Sequence, residues 1–241
     1  MEGHRLDQLL VERGLVESRE KARALILAGQ VLVNGQRVDK AGHNVAVDAQ
    51  VELLEQPRYV GRGGLKLEAA LRHFDIQVAA KICMDVGSST GGFTDCLLQH
   101  GAARVYAIDV GTAQLDWKMR NDPRVIVREQ VNARYLSRED VPEIIQLAVC
   151  DVSFISITMI LPAIAKLVAE DAEMVILVKP QFELERRQVG KGGIIRDPEL
   201  HQQACRRVQE AVQRLGFRTD TIPSPILGAE GNQEFLLYAR H

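Results

Sequence analysis

Cysteine is scarce and scattered in this sequence: Cys83, Cys96, Cys150 and Cys205 form no CxxC pair and have no histidine at metal-ligand spacing. The pattern argues against a zinc site and a disulfide framework, and it fits a reducing cytoplasm. Long apolar runs are missing as well. No segment approaches the roughly 18 consecutive apolar residues of a membrane-spanning helix. The opening MEGHRLDQLLVERG is charged throughout, where a signal peptide would need an apolar stretch. The chain is therefore expected to be neither exported by that route nor membrane-spanning. Aromatic residues make up only 5% of the 241 positions, so extensive base stacking is not evident. Charge of one sign is not in excess either: 30 Lys+Arg against 32 Asp+Glu leave a formal charge of −2. Any nucleic-acid partner must then be held by a local basic face rather than by a bulk cationic field.

What is present is ordinary for a globular protein, with 46% apolar and 26% charged residues. The length suits one large domain or a medium domain with a small one, and the pattern favours two. In residues 1–54, Leu6, Leu9 and Leu10 recur at helical spacing and Gly14 is placed to end that turn. Ser18 stands where an N-cap belongs before a second helix over 19–28. Val31–Val33 and 36–38 then flank Asn34-Gly35, a strong signal for a tight hairpin. Val45, Val47, Val51 and Leu53 add alternating strand residues.

The run RLDQLLVERG…SREKARALILAGQVLVNG resembles the S4-like RNA-binding domain over nearly the whole of this module. The resemblance implies an α+β fold that presents its second helix and neighbouring loop to folded RNA. Arg5, Arg19, Lys21, Arg23 and Asn34 would meet phosphates and sugars there. Arginine suits that role through bidentate phosphate contacts, and RNA is often read by shape. The competing reading is a solvated helix face.

Residues 55–64, EQPRYVGRGG, read as a linker, since Pro57 blocks regular structure and three glycines permit bending before a helix over 65–74. In 65–241, apolar strand-like runs at 82–86, 105–110, 125–127, 147–150, 174–178, 217–222 and 235–238 alternate with helical patterns. Near-continuously apolar strands separated by helices indicate a sheet covered on both faces, the doubly wound α/β class. The last two runs are closely connected and suit a hairpin at the sheet edge.

The first of these strands runs into Asp85, then Gly87, Ser88, Ser89, Thr90, Gly91, Gly92 and Phe93. A glycine-rich turn between strand and helix lets a ligand approach the backbone, and Asp109 at the end of the second strand can accept hydrogen bonds from ribose hydroxyls. A nucleoside cofactor follows. The spacing is not GxGxxG, which disfavours a dinucleotide, and the Gly-Lys-Ser/Thr of a P-loop is missing. DVGSSTGGFTD resembles the first motif of S-adenosylmethionine-dependent methyltransferases, especially FtsJ-like RNA 2′-O-methyltransferases. The resemblance makes Asp109 the ribose-binding acid and places Asn132 near adenine, in a Rossmann-like S-adenosylmethionine methyltransferase domain.

Four charged residues recur near the ends of apolar segments: Lys66, Asp151, Lys179 and Glu234. Singly, each reads as a surface, capping or strand-end charge. Burying them apart would be costly, whereas one polar cleft would let them compensate one another. The set RGGLK, CDVSF, VKPQFE and NQEF, in this order around the glycine-rich turn, resembles the TlyA-type, or haemolysin A, family of ribosomal RNA methyltransferases over essentially the entire chain. That resemblance supplies a Lys-Asp-Lys-Glu catalytic tetrad made of these four residues. It implies methyl transfer from S-adenosylmethionine to a ribose 2′-hydroxyl of cytidine, in ribosomal RNA or ribosomal subunits. Large-subunit RNA is the expected substrate and small-subunit RNA the alternative. The poor nucleophile is the difficulty of such a reaction, and Lys179 is the expected general base. No metal is required, because the leaving group is a neutral thioether.

The stretch after Lys179, LERRQVGKGGIIRDP, is rich in positive charge and glycine. It reads as a mobile lip carrying Arg186, Arg187 and Lys191 to RNA, or as a solvated loop. Three rival functions fit the sequence less well. A membrane-acting haemolysin needs an exposed apolar or amphipathic insertion segment, and neither is evident. A non-catalytic RNA-binding protein would not need the tetrad. Base methylation lacks an evident catalytic cysteine arrangement. Oligomeric state is not legible.

Overall fold

A computed structural model describes residues 3–54, 57–190 and 192–241. Contacts divide the chain between Pro57 and Arg58, and each unit has a core of its own.

In the small unit, β1 (His4–Arg5) leads into α1 (Leu6–Glu12), and α2 (Arg19–Leu27) follows. Leu6, Leu9 and Leu10 share one face of α1 and enter a buried cluster with Ala22 and Ile26 of α2. The Ser18 hydroxyl accepts the Lys21 N–H at 3.2 Å and caps α2. β2 (Val31–Val33) and β3 (Gln36–Arg37) form the expected hairpin. Asn34 and Gly35 have φ of 50° and 77°, the two positive values that a tight two-residue turn needs. β4 (Asn44–Val45) pairs with β1, and β5 (Val51–Leu53) pairs with β2.

Residues 58–64, expected within a linker, belong instead to the larger unit. Tyr59 is only 3% exposed, the Val60 N–H donates to Asp95 Oδ2 at 2.9 Å, and Gln99 Nε2 donates to the Arg58 carbonyl at 2.9 Å. Burial of an aromatic ring outweighs the flexibility that the neighbouring glycines would allow. Accordingly α3 (Gly63–His73) begins two residues before the expected start.

The larger unit continues with β6 (Ile82–Val86), α4 (Gly92–Gln99), β7 (Arg104–Ile108), α5 (Trp117–Arg120), β8 (Val125–Arg128) and β9 (Ile145–Cys150). Next come α6 (Leu161–Ala165), β10 (Val168–Val178), α7 (Pro180–Glu183), α8 (Pro198–Gln213), β11 (Arg218–Pro223) and β12 (Phe235–Arg240). The strands form one seven-stranded sheet in the order β11-β12-β10-β9-β6-β7-β8. Only β12 runs against the rest, so the chain's last two strands make the edge hairpin that the sequence suggests.

Alternate strand residues feed two cores. Met84, Tyr106 and Ile176 pack with residues of α6 and α8, while Cys83, Val105 and Val175 pack with α3 and α4. Helices therefore cover both faces, the doubly wound arrangement. The chain passes from β6 to β7 on one side, then returns to β9 on the other. Ligand crevices form at such a reversal, beyond the carboxyl ends of the strands.

Candidate active site

Two cavities open at that reversal. The larger, about 500 Å³, is lined by Gly87, Ser89, Asp109, Gln114, Asn132 and Arg134, with apolar walls from Val86, Ile108, Val131 and Ile160. The smaller, about 180 Å³, is lined by Gly63, Ser88, Thr90, Gly92, Phe93 and Lys179. Gly87, Ser89, Asp151 and Ser153 border both, so the cavities adjoin.

The glycine-rich turn owes its shape to close packing. Gly87 has φ of +86°, and a Cβ there would overlap the carbonyl oxygen of Asp151. Gly91 has φ of +96°, a conformation strained for any residue with a Cβ, which would also crowd Leu115 Cδ1 at 2.8 Å. At Gly87 the turn thus borders both cavities with no side chain of its own. Asp109 is fixed from two sides: Oδ2 accepts the Ser89 N–H of this turn at 2.8 Å, and Oδ1 accepts the Gly111 N–H of its own loop at 2.8 Å. Asn132 Oδ1 accepts the Arg134 N–H at 3.1 Å, which holds its amide at the cavity wall.

Asp85 and Gly91, expected to touch cofactor, line neither cavity. Asp85 is fully buried beneath the turn, where Oδ2 accepts the Thr94 hydroxyl at 2.7 Å and Oδ1 has no hydrogen-bond partner. Burial, with the Asp151 and Asp109 charges adding to it, pushes its carboxyl up to about 7. Its place is to anchor α4 under the turn.

Three members of the tetrad come from the ends of adjacent strands. Asp151 follows β9, Lys179 follows β10, and Glu234 precedes the antiparallel β12, so all three sit at one end of the sheet. Lys66 comes from α3. The four form two ion pairs: Lys179 Nζ lies 2.6 Å from Asp151 Oδ1, and Lys66 Nζ lies 2.5 Å from Glu234 Oε2. The first pair lines the smaller cavity, whereas both side chains of the second are less than a tenth exposed. Lys179 Nζ also donates to Ser153 Oγ at 2.8 Å.

Several residues near the site have no counterpart in the sequence reading. Ser153 touches Lys179, and Phe154, 87% exposed at φ +65°, puts an aromatic ring at the mouth of the larger cavity. Both lie in CDVSF, yet nothing local marks them. Glu183 is 2% exposed and ties the loop after β9 to α7: Oε1 accepts the Ile157 N–H at 2.8 Å and Oε2 accepts the Ser156 hydroxyl at 2.5 Å. Burial raises its carboxyl pKa, and those two hydrogen bonds oppose the shift.

The candidate RNA contacts are divided among several environments. Arg5, Arg19 and Arg23 all reach the buried Asp7. Lys21 pairs with Glu17 at 3.4 Å on the exposed face of α2. Asn34 is occupied by the fold, since its Oδ1 accepts the Gln50 N–H at 2.9 Å and its positive φ makes the hairpin turn. In the expected lip, Arg186 is exposed and Arg187 pairs with Glu185 at 2.6 Å, while Lys191 lies outside the described residues. Ile195 is buried and its N–H donates to Asn232 Oδ1 at 2.8 Å, so the far side of the lip is anchored. Among the described residues no helix is long and apolar enough to cross a membrane.

Comparison with known proteins matches the FtsJ-like methyltransferase family over residues 59–241 and the S4 domain over residues 4–51. The chain is 46% identical over 239 residues to Hemolysin A of Brachyspira hyodysenteriae, covering 97% of this chain and 98% of that protein. It is 44% identical over 239 residues to the 16S/23S rRNA (cytidine-2′-O)-methyltransferase TlyA of Mycobacterium tuberculosis, covering 98% of this chain and 89% of that one. A solved structure from Streptococcus thermophilus, labelled a hemolysin, superposes with a TM-score of 0.74 at 46% identity and covers 100% of this chain and 89% of its own.

Proposed function

This chain belongs to the FtsJ-like methyltransferase family, and from that premise we propose that it transfers a methyl group from S-adenosylmethionine to the 2′-hydroxyl of a cytidine ribose in ribosomal RNA, in the cytoplasm. The observation that carries the reading is the Lys179–Asp151 ion pair of 2.6 Å in a small cavity that adjoins a nucleoside-sized one. The name of the Mycobacterium tuberculosis relative supports ribosomal RNA and cytidine as the substrate class.

The larger cavity fits the cofactor. Its volume lies within the range of ligand pockets, about 300–1,000 Å³, and it combines the turn at Gly87 and Ser89 with a carboxylate and an amide among apolar walls. Asp109 would hold the ribose hydroxyls and Asn132 the adenine edge, while Gly87, Ser88, Ser89 and Thr90 would lie along the methionine portion. When bound, the cofactor supplies a methyl group already activated on a sulfonium. What the protein must provide is a nucleophile and the right approach.

Lys179 provides the base. In its neutral form Nζ would accept the 2′-hydroxyl proton, so that the O–H bond breaks as the O–C bond forms, while the methyl group's bond to the sulfonium breaks and a neutral thioether leaves. Asp151 and Ser153 hold the amine at the boundary between the cavities, and reach of one hydrogen bond is what proton transfer requires. Asp151 then stabilises the ammonium that results. The Lys66–Glu234 pair serves as a rigid charged support, since a neutralised buried pair keeps its geometry where a lone buried charge would not. The S4 domain would hold RNA through Arg5, Arg19 and Arg23, with Lys21 at the edge, and Arg186 and Arg187 would meet phosphates nearer the site.

The test is to incubate the purified chain and labelled S-adenosylmethionine with ribosomal subunits and with protein-free ribosomal RNA, then to map the product by mass spectrometry of nucleosides. The expected product carries its methyl group on the ribose of cytidine. A methyl group on a base, or lysis of lipid vesicles without any RNA methylation, would refute the reading.

A further inference from the structure

We infer that Asp7 is a positioning residue for RNA binding, whose buried carboxylate gathers Arg5, Arg19 and Arg23 into one phosphate-binding face. The inference rests on the reading that the substrate is RNA, and it adds the residue that shapes the contact surface.

Three guanidinium groups repel one another, and they converge only where an anion offsets the repulsion. Asp7 supplies that anion from the first turn of α1, at 0% exposure. Arg5 Nε and Nη2 meet Oδ1 and Oδ2 at 3.0 and 3.2 Å, a two-point clasp. Arg19 Nη2 and Arg23 Nε both reach Oδ2 at 3.1 Å, and their four-residue spacing on α2 places them on the same helix face. The hydrogen bond from Arg5 is the foremost cause holding the Asp7 carboxyl far below the usual carboxylate range, with Arg19 and Arg23 adding to it.

One carboxylate cannot neutralise three arginines, so the cluster keeps a surplus of two positive charges. Each guanidinium has five N–H donors, and the bonds to Asp7 use one or two of them. The arginine side chains remain 43%, 47% and 51% exposed. The result is a half-exposed, doubly positive surface whose side chains are already ordered, so less conformational entropy is lost on meeting phosphate. A negative residue in an RNA-binding face is unfavourable by charge alone. Its burial under three arginines makes sense as ordering.

Those two views predict opposite signs, which makes the inference testable. Binding of the full chain to protein-free large-subunit ribosomal RNA is measured across a salt series for the wild type, Asp7→Asn and Glu20→Gln. Glu20 is an exposed acid on α2, the helix that carries Arg19 and Arg23. Counting charge alone, both variants bind more tightly. The ordering role predicts that Asp7→Asn weakens binding about tenfold, the scale of one lost charge-assisted contact, and flattens the salt dependence, while Glu20→Gln does neither. Should Asp7→Asn fail to fold, Arg23→Lys serves instead: it keeps the charge, loses the Nε donor, and is expected to weaken binding in the same direction. An Asp7→Asn protein that folds and binds RNA as tightly as the wild type, or an Arg23→Lys protein that does so, overturns the inference. A wild-type chain that binds no RNA overturns the functional reading beneath it.

Discussion

The ammonium of Lys179 lies 2.6 Å from the carboxylate of Asp151, across the ends of two neighbouring parallel strands. Each residue is the first one past its strand; Cys150 pairs with Ile176, so β10 runs two residues beyond β9 and the Lys179 side chain spans that offset to reach Asp151. Both residues of the pair are thus placed by the central sheet, and the partners can be tested one by one.

The second ion pair makes a prediction about stability. Lys66 and Glu234 are both buried, so removing one leaves an uncompensated charge that costs about 3–5 kcal/mol. Lys66→Met should lower the unfolding free energy by that amount in urea titrations. Lys66→Met combined with Glu234→Leu should recover most of it, with methylation still slow. A double variant as unstable as the single one would show that the two charges are not coupled.

Asp85 sets a pH dependence. Its carboxyl is raised from 3.8 to about 7 by burial, so between those values the folded chain keeps a proton that the unfolded chain has lost. Stability from this group is therefore complete below the unfolded value and declines as pH rises through about 7. Asp85→Asn removes that slope. Unfolding curves for both proteins over this window should diverge, the variant gaining relative to the wild type as pH rises; parallel curves would be inconsistent with a raised Asp85.

Glu183 joins the loop that carries Asp151 and Ser153 to the helix that follows Lys179. Glu183→Ala is expected to cost about 1–3 kcal/mol for the unsatisfied Ile157 N–H and to lower kcat more than it changes KM for RNA. Glu183→Gln keeps an acceptor and should restore most of both. If Glu183→Ala lowers Tm but leaves kcat intact, the residue is only structural.

Gly87→Ala should damage cofactor binding and stability together. A side chain at φ +86° costs about 1–2 kcal/mol before the overlap with the Asp151 carbonyl is counted. Calorimetric titration with S-adenosylmethionine should show at least a large loss of affinity; an unchanged Kd would mean that the turn is not the cofactor floor.

Legibility in the sequence followed the range of the interactions. The Asn34-Gly35 hairpin and the Ser18 cap depend on neighbours a few residues away, and both stand where turn and cap chemistry puts them. The strand and helix alternation is equally local, although β10 begins at Val168 rather than 174, because Glu170, Asp171 and Glu173 mask its strand pattern. Tyr59 was hidden among linker signals, since its burial depends on α3 and α4. Asn34 shows the opposite difficulty: the residue that suits a phosphate contact also suits a positive-φ turn, and the fold uses it for the turn. The Lys66–Glu234 pair spans 168 positions, and only resemblance to a family could join its halves before the structure did. Asp7 carried no signal of its own, because its meaning lies in three arginines that converge only after α1 and α2 pack.

The most direct test of the whole account is the single-turnover rate of methyl transfer to ribosomal RNA by Lys179→Ala, with cofactor affinity measured alongside. Loss of the general base predicts a rate lower by about 10²–10⁴ with S-adenosylmethionine bound nearly as tightly as by the wild type. A folded Lys179→Ala protein that methylates the 2′-hydroxyl at the wild-type rate would contradict it.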